Sequence, residues 1–227
     1  MSNIINTEQT VRYLIKYMLN DYLFQYKEAG MEEEKDFKFD KRAEYYDEGF
    51  EGKTSEKFYK LVIENIVLSE GMKLLDMGCG TGTILKRLSG KCAIKGFGID
   101  VEEKMLEIAR KKCPEMQIIN CSCDNTPFEA DSFDAIVACM AFHHFPNKED
   151  FAKECARLLK KGGKLYIADP KLPFIIRKLL HGILKLLKIC GRFFTEKEFI
   201  AFFSDYEFAR VFSKSDCYAQ IICLEKI

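Results

Sequence analysis

Apolar positions along this chain change their period near residue 71. Before it, Val11, Leu14, Ile15, Met18, Leu19, Tyr22, Leu23 and Tyr26 recur at steps of three and four. That spacing predicts an amphipathic helix over 7–27, with Gly30 as its stop. Phe58, Leu61, Val62, Ile66 and Val67 predict a second helix over 54–67. Beyond residue 71, short apolar runs alternate with amphipathic stretches. Strands are expected at 72–77, 93–100, 116–121, 133–140 and 164–169. Helices are expected at 83–90, 101–113 and 147–163, the last with an Asn cap and a Gly-Gly stop. Such alternation predicts a parallel sheet covered on both faces. After a helix at 195–204, the runs 206–212 and 217–226 flank Ser-Lys-Ser-Asp and predict an antiparallel hairpin at a sheet edge.

The 227 residues, 48% hydrophobic and 31% charged, suit one core domain with added terminal segments and exclude wholesale disorder. Thirty-five basic residues balance thirty-five acidic ones, so the basic excess of a nucleic-acid coat protein is missing and no nucleic-acid partner is expected. The polar start MSNIINTEQT lacks the apolar core of a signal peptide, and no charge-free apolar run reaches 18 residues. Ten scattered cysteines without a C-x-x-C read as reduced thiols of a cytoplasmic protein, with no metal site expected.

The sharpest chemistry lies in LLDMGCGTGT, 74–83, at a strand-to-helix joint. Gly78, Gly80 and Gly82 let the backbone turn tightly and approach a ligand, and the following helix offers free N–H groups. The spacing is G-x-G-x-G, whereas the dinucleotide fingerprint is G-x-G-x-x-G, and Thr83 stands where its third glycine would be. Asp76, two residues ahead of the loop, would oppose a pyrophosphate but suits an ammonium group. Asp100 ends the second strand, where a carboxylate can accept from two ribose hydroxyls, each bond worth roughly 1.5–3 kcal/mol. Asp124 follows the third strand in CSCDNTPF, placed to accept from a purine amine. Read without a ligand, the three features are a glycine-rich turn, a solvated helix cap and an Asx turn.

Ammonium, ribose and adenine together describe S-adenosylmethionine. The segments LLDMGCGTG (74–82), FGID (97–100), CDNTPFEADSFDAIVACMAFHHF (123–145) and LLKKGGKLYIADP (158–170) resemble the class I S-adenosylmethionine-dependent methyltransferases. The likeness is to their small-molecule branch, which includes the ubiquinone/menaquinone-biosynthesis C-methyltransferases. It implies an α/β, Rossmann-like doubly wound sheet of seven strands, mostly parallel with an antiparallel C-terminal hairpin. A helical cap over 1–70 would precede a core over 71–227. It implies S-adenosylmethionine as cofactor, S-adenosylhomocysteine as product and a small-molecule acceptor. It extends the cofactor site to Val101, Met105, Asn125 and Met140. Lys161 departs from the family, which often has Pro before Gly-Gly, and that should alter a turn only. In MAFHHFPN, 140–147, His143 or His144 could act as base or substrate contact, or simply pack. The N-P-P-Y type signature of many amino-group methyltransferases is absent. An NAD-dependent oxidoreductase is the competing enzyme, and a non-catalytic S-adenosylmethionine-binding regulator the competing class.

Two segments outside these motifs are candidate lids. Residues 28–51 hold ten Asp or Glu against four Lys or Arg, together with Tyr45 and Tyr46, which are expected to close over the site. Residues 171–195 hold six Lys or Arg and no acid. On a helix near 174–190, Arg177, Lys178, His181, Lys185 and Lys188 fall within about 100°. That is either a lid packed on the core with a solvated basic stripe, or an interfacial helix meeting a membrane surface or lipophilic substrate.

Overall fold

The computed structural model describes residue 43 and residues 46–186, 191–216 and 218–227. The helix expected over 7–27, most of the acidic stretch, Tyr45 and the end of the basic helix lie outside the described residues. The described chain runs α1 (Phe50–Asn65), β1 (Lys73–Met77), α2 (Thr83–Ser89), β2 (Lys95–Asp100), α3 (Glu103–Lys112), β3 (Gln117–Asn120) and β4 (Phe133–Cys139). It continues through a short 3₁₀ turn (Phe142–His144), α4 (Lys148–Leu158), β5 (Leu159–Pro170), α5 (Phe174–Leu186), α6 (Glu196–Ser204), β6 (Phe208–Asp216) and β7 (Ala219–Lys226).

These strands form one seven-stranded sheet in the order β3-β2-β1-β4-β5-β7-β6. The pairs from β3 to β5 are parallel, and β7 runs antiparallel to both β5 and β6. The predicted fold class is borne out. Chain order reverses between β1 and β4, and an open parallel sheet places its ligand crevice beyond the strand C-termini at such a point.

The near-continuous apolar character of β1 and β4 has its cause in burial on both faces. One face packs Phe58 and Val62 of α1, Leu85 of α2, Leu106 of α3 and Leu180 and Leu184 of α5 in a single core. The other packs Phe151, Cys155 and Leu158 of α4 with Phe199 and Phe203 of α6. Phe142 lies fully buried on this second face, with ring centroids 5.1–5.9 Å from Phe151, Phe194, Phe199 and Phe203. Tilted and edge-to-face pairs of this kind add about 0.5–1.5 kcal/mol each beyond area burial. The cluster therefore pins the 3₁₀ turn that carries both histidines.

Two expected boundaries are corrected. The helix expected over 147–163 ends at Leu158, because Leu158 and Leu159 are both fully buried and Leu159 already pairs with Phe133 in the sheet. The Gly-Gly pair is thus no helix stop. Gly162, at φ 76°, lies inside β5, beside the register shift between Phe133 and Ala135. The Ser-Lys-Ser-Asp expected in the hairpin turn lies in β6, where Ser213 pairs with Ile222 and Asp216 with Ala219. The expected turn residues are thus strand residues, and φ 63° at Glu207 marks the entry to β6. Eight described cysteines are unpaired thiols, six of them buried.

Candidate cofactor and active site

The loop between β1 and α2 is shaped by its three glycines. Gly78, Gly80 and Gly82 have φ of 78°, 50° and 75°, all left-handed. Gly78 N–H and Cys79 N–H both donate to Ile99 O of β2, at 2.8 and 2.9 Å, which folds the loop over the neighbouring strand. A Cβ at Gly78 would lie 2.6 Å from the Cβ of Ala141, so that glycine is also demanded by close approach. At Gly80 a Cβ would meet nothing within 4 Å, so the loop is open there.

Two carboxylates meet at this loop. Asp76 is 2% exposed, and its Oδ1 has no hydrogen-bond partner. Burial, reinforced by the Asp100 charge, pushes its carboxyl up to about 8. Asp100 is half-buried. Its Oδ2 accepts from Gly80 N–H at 2.9 Å and its Oδ1 from Glu102 N–H at 3.1 Å. Burial raises its carboxyl despite these bonds. Asp100, expected to bind a ribose or to serve as a solvated helix cap, ties the glycine loop to the β2–α3 turn. The Val101 N–H also bonds this carboxylate, so of its roughly four acceptor sites three are engaged within the chain.

The rim comes from the next connections. Val101 is 55% exposed beside Asp100, and Met105 is buried in α3. Asp124 is half-buried and Asn125 exposed in the loop after β3. That loop is held from outside: Glu154 Oε1 accepts from Thr126 N–H at 3.0 Å and from its hydroxyl at 2.6 Å, and Arg157 donates to Phe128 O at 2.8 Å. Met140 is buried with φ 57°, and its N–H donates to Ala168 O at 2.8 Å. A left-handed non-glycine at the end of a central strand is a strained backbone, a state that collects at functional sites.

The two histidines separate in role. His143 Nδ1 lies 2.7 Å from Asp169 Oδ1, and both side chains are almost wholly buried. Asp169 Oδ2 has no partner. Burial pushes the Asp169 carboxyl up to about 8 and the His143 imidazole down, so the low-dielectric site favours a net-neutral pair. The His143 ring stacks on Phe193, centroids 5.1 Å apart, and lies 3.9 Å from the His144 ring. His144 is half-buried. Asp169 was missed by the sequence reading. The available signal was its place at the end of the wholly apolar LYIA run, the position that Asp76 and Asp100 hold on their own strands.

Of the tyrosines expected to close the site, Tyr46 is described and half-buried, whereas Tyr45 lies outside the described residues. The neighbouring Asp47, also missed, makes the contact. Its Oδ1 accepts from Thr81 and Thr83 hydroxyls at 2.8 and 2.9 Å, and its Oδ2 meets Lys112 Nζ at 2.6 Å. Burial would raise the Asp47 carboxyl, but the Lys112 and threonine hydrogen bonds outweigh it and hold it below its usual range.

Helix α5 departs from the expected solvated basic stripe. Arg177 turns inward to pair with Glu198, and His181 Nε2 accepts from Phe193 N–H at 3.0 Å. Lys178 and Lys185 stay exposed, and only Leu180 and Leu184 are buried. Lys188 lies outside the described residues. Among the described residues, no group of three His, Cys, Asp or Glu side chains could hold a metal, and no helix is long and apolar enough to cross a membrane.

Residues 75–167 match the family described as methyltransferase domain. The demethylmenaquinone methyltransferase of Thermotoga maritima is 36% identical over 114 residues, 50% of this chain and 50% of that protein. The ubiquinone biosynthesis O-methyltransferase of Coxiella burnetii is 32% identical over 110 residues, 47% of each. The chain thus spans about half the length of the curated relatives it matches. Among solved structures, the complex of the Haloferax volcanii Trm112 methyltransferase activator with a methyltransferase aligns at TM-score 0.72 and 21% identity, over 83% of this chain and 97% of that one, a likeness of fold. Over residues 75–167, then, this chain is similar to the methyltransferase domain, and its seven-stranded sheet has the fold of solved methyltransferases.

Proposed function

We propose that this protein transfers a methyl group from S-adenosylmethionine to a small quinone-type acceptor. The observation that carries the reading is the buried Asp76 carboxylate, with one oxygen unpartnered, beside three left-handed glycines at the strand-order switch. An uncompensated buried carboxylate is costly, and a cationic ligand group offsets that cost. A nicotinamide dinucleotide would bring its pyrophosphate to the same carboxylate. The names of the relatives support a quinone-type acceptor.

S-adenosylmethionine, when bound, supplies a methyl group already activated by its sulfonium. The chain's residues then have to bind, orient and exclude water. In this reading Asp76 takes the amino group and the Gly78–Gly82 loop follows the backbone of the ligand. The remaining acceptor capacity of Asp100 takes the ribose hydroxyls. Asp124 and Asn125 read the adenine edge, with Val101 and Met105 as its walls. Met140 borders the methyl end, and Tyr46 with Asp47 covers the loop. His143, fixed through Nδ1 by Asp169, handles the acceptor proton, and His144 faces the acceptor. Phe193, stacked on the imidazole, holds it in one orientation, which is what a positioned acid–base group requires.

Calorimetry with S-adenosylhomocysteine and with NADH tests the cofactor class. Micromolar binding of the first and none of the second is expected; tight NADH binding alone overturns the reading. Mass spectrometry of candidate quinone precursors, looking for the mass of one added methyl group, tests transfer. Cofactor binding without transfer to any acceptor would favour a non-catalytic regulator.

A further inference from the structure

Nine large hydrophobic side chains are strongly exposed among the described residues, and five of them stand on one helix: Phe174, Ile175, Leu179, Ile183 and Leu186 of α5. At 100° per residue, Ile175, Leu186, Leu179 and Ile183 fall in one arc of about 80°. Lys178 and Lys185 border that arc on its solvent side, about 60–80° from Ile175. The stripe is not a consequence of loose docking. Leu180 and Leu184 are buried on the opposite side, Arg177 pairs with Glu198, and His181 accepts from Phe193. The helix is thus anchored with an apolar face directed outward.

We propose that α5 is an interfacial helix that lays this stripe into the headgroup region of an anionic lipid surface, with Lys178 and Lys185 meeting the lipid phosphates. Three observations select this occupant. The segment 171–195 carries six Lys or Arg and no acid in a chain whose net charge is zero, so its charge is concentrated on one element. An exposed apolar stripe flanked by lysines has the composition of helices that bind such surfaces in plane. A second copy of the chain packed on the same stripe would bring the same lysines together. Phe193 stacks on both His181 and His143, so this surface helix is separated from the buried His143–Asp169 pair by a single ring.

The test is co-sedimentation of the full chain with phosphatidylcholine vesicles, with and without about 30 mol% phosphatidylglycerol. We expect roughly tenfold or stronger partitioning onto the anionic vesicles, weakened by salt. Lys178→Gln with Lys185→Gln should remove the preference for anionic lipid, and Leu179→Ser with Leu186→Ser should abolish binding. All four side chains are exposed, so melting by circular dichroism should be unchanged in both variants. A protein that stays in the supernatant with both vesicle types overturns the proposal. Binding indifferent to both double substitutions also overturns it. So does a dimer in sedimentation equilibrium that dissolves on Leu179→Ser with Leu186→Ser, which would assign the stripe to a second copy.

Discussion

In the proposed reading, Asp76 holds stability and ligand binding in opposition. Its folded carboxyl is raised to about 8 against 3.8 in the unfolded chain, so the ligand-free folded state binds the proton more tightly. The contribution is fully present below pH 4 and is lost as pH rises through 8. Asp76→Asn should therefore raise ligand-free stability by roughly 2–5 kcal/mol at pH 8.5 and leave it nearly unchanged at pH 4. The same change should weaken S-adenosylhomocysteine binding at least tenfold. Urea melts at the two pH values and calorimetry check the pair of signs, and equal stability at pH 8.5 would sink the account. The His143–Asp169 pair makes a second prediction. Below pH 8 the pair holds its proton, so a rate that needs it as base should climb with pH through an apparent value near 8. Asp169→Asn should flatten that profile and lower kcat about 10²–10⁴-fold while leaving cofactor affinity within a few-fold. Asp76 and Asp100 were legible in the sequence because each ends an apolar strand beside a glycine loop or helix start. Asp169 was not, because its partner lies 26 residues away and only tertiary packing pairs them.

The glycine loop separates two effects that sequence alone merges. Gly78 and Gly80 both have left-handed φ, but only Gly78 lacks room for a Cβ. Gly78→Ala should cost about 2–4 kcal/mol, from the Ala141 clash added to backbone strain. Gly80→Ala should cost about 1 kcal/mol in stability, while its methyl fills the open cradle and reduces S-adenosylhomocysteine affinity more than tenfold. Thermal melts and calorimetry on both variants check the split, and equal stability losses would contradict it. Element types were legible wherever period and length agreed, as for β1, β4 and α3. Boundaries failed where packing overrode local signals. Lys160-Lys161-Gly162-Gly163 reads as a helix end, yet the buried Leu159 draws the chain into the sheet one turn earlier. Polar Ser213–Asp216 read as a turn, yet on a solvent-facing edge strand such residues pair as readily as apolar ones. The helix expected over 195–204 is α6, and its start is fixed by a capping box of Thr195 with Glu198.

At the scale of the molecule, the sheet carries carboxylates near the C-terminal ends of β1, β2 and β5, and Asp47, just ahead of α1, clasps the glycine loop. That clasp joins Thr81, Thr83 and Lys112, so it spans the glycine loop and α3. Ligand binding to the closed arrangement should slow amide exchange in 46–55 as well as in 76–83, because opening must then also release the ligand. Hydrogen-exchange mass spectrometry with and without S-adenosylhomocysteine checks this, and Asp47→Ala should remove the effect in 46–55 alone. Protection confined to the glycine loop would leave the clasp without a role in closure. The parallel sheet and terminal hairpin were legible because β-rich and helical periods alternate along the chain. The clasp was not, because 34 residues separate Asp47 from Thr81. The cysteines give this architecture a further use. Cys79, Cys139 and Cys155 are buried, and burial raises each thiol far above its ordinary value, so none carries the thiolate that reacts. An alkylating reagent can therefore modify them only during moments of opening. The rate at which mass accumulates on each thiol is a built-in stopwatch for how often that part of the molecule comes apart. Cys79 and Cys139, next to Asp76, time the crevice at the glycine loop, and Cys155 times the far face of the sheet.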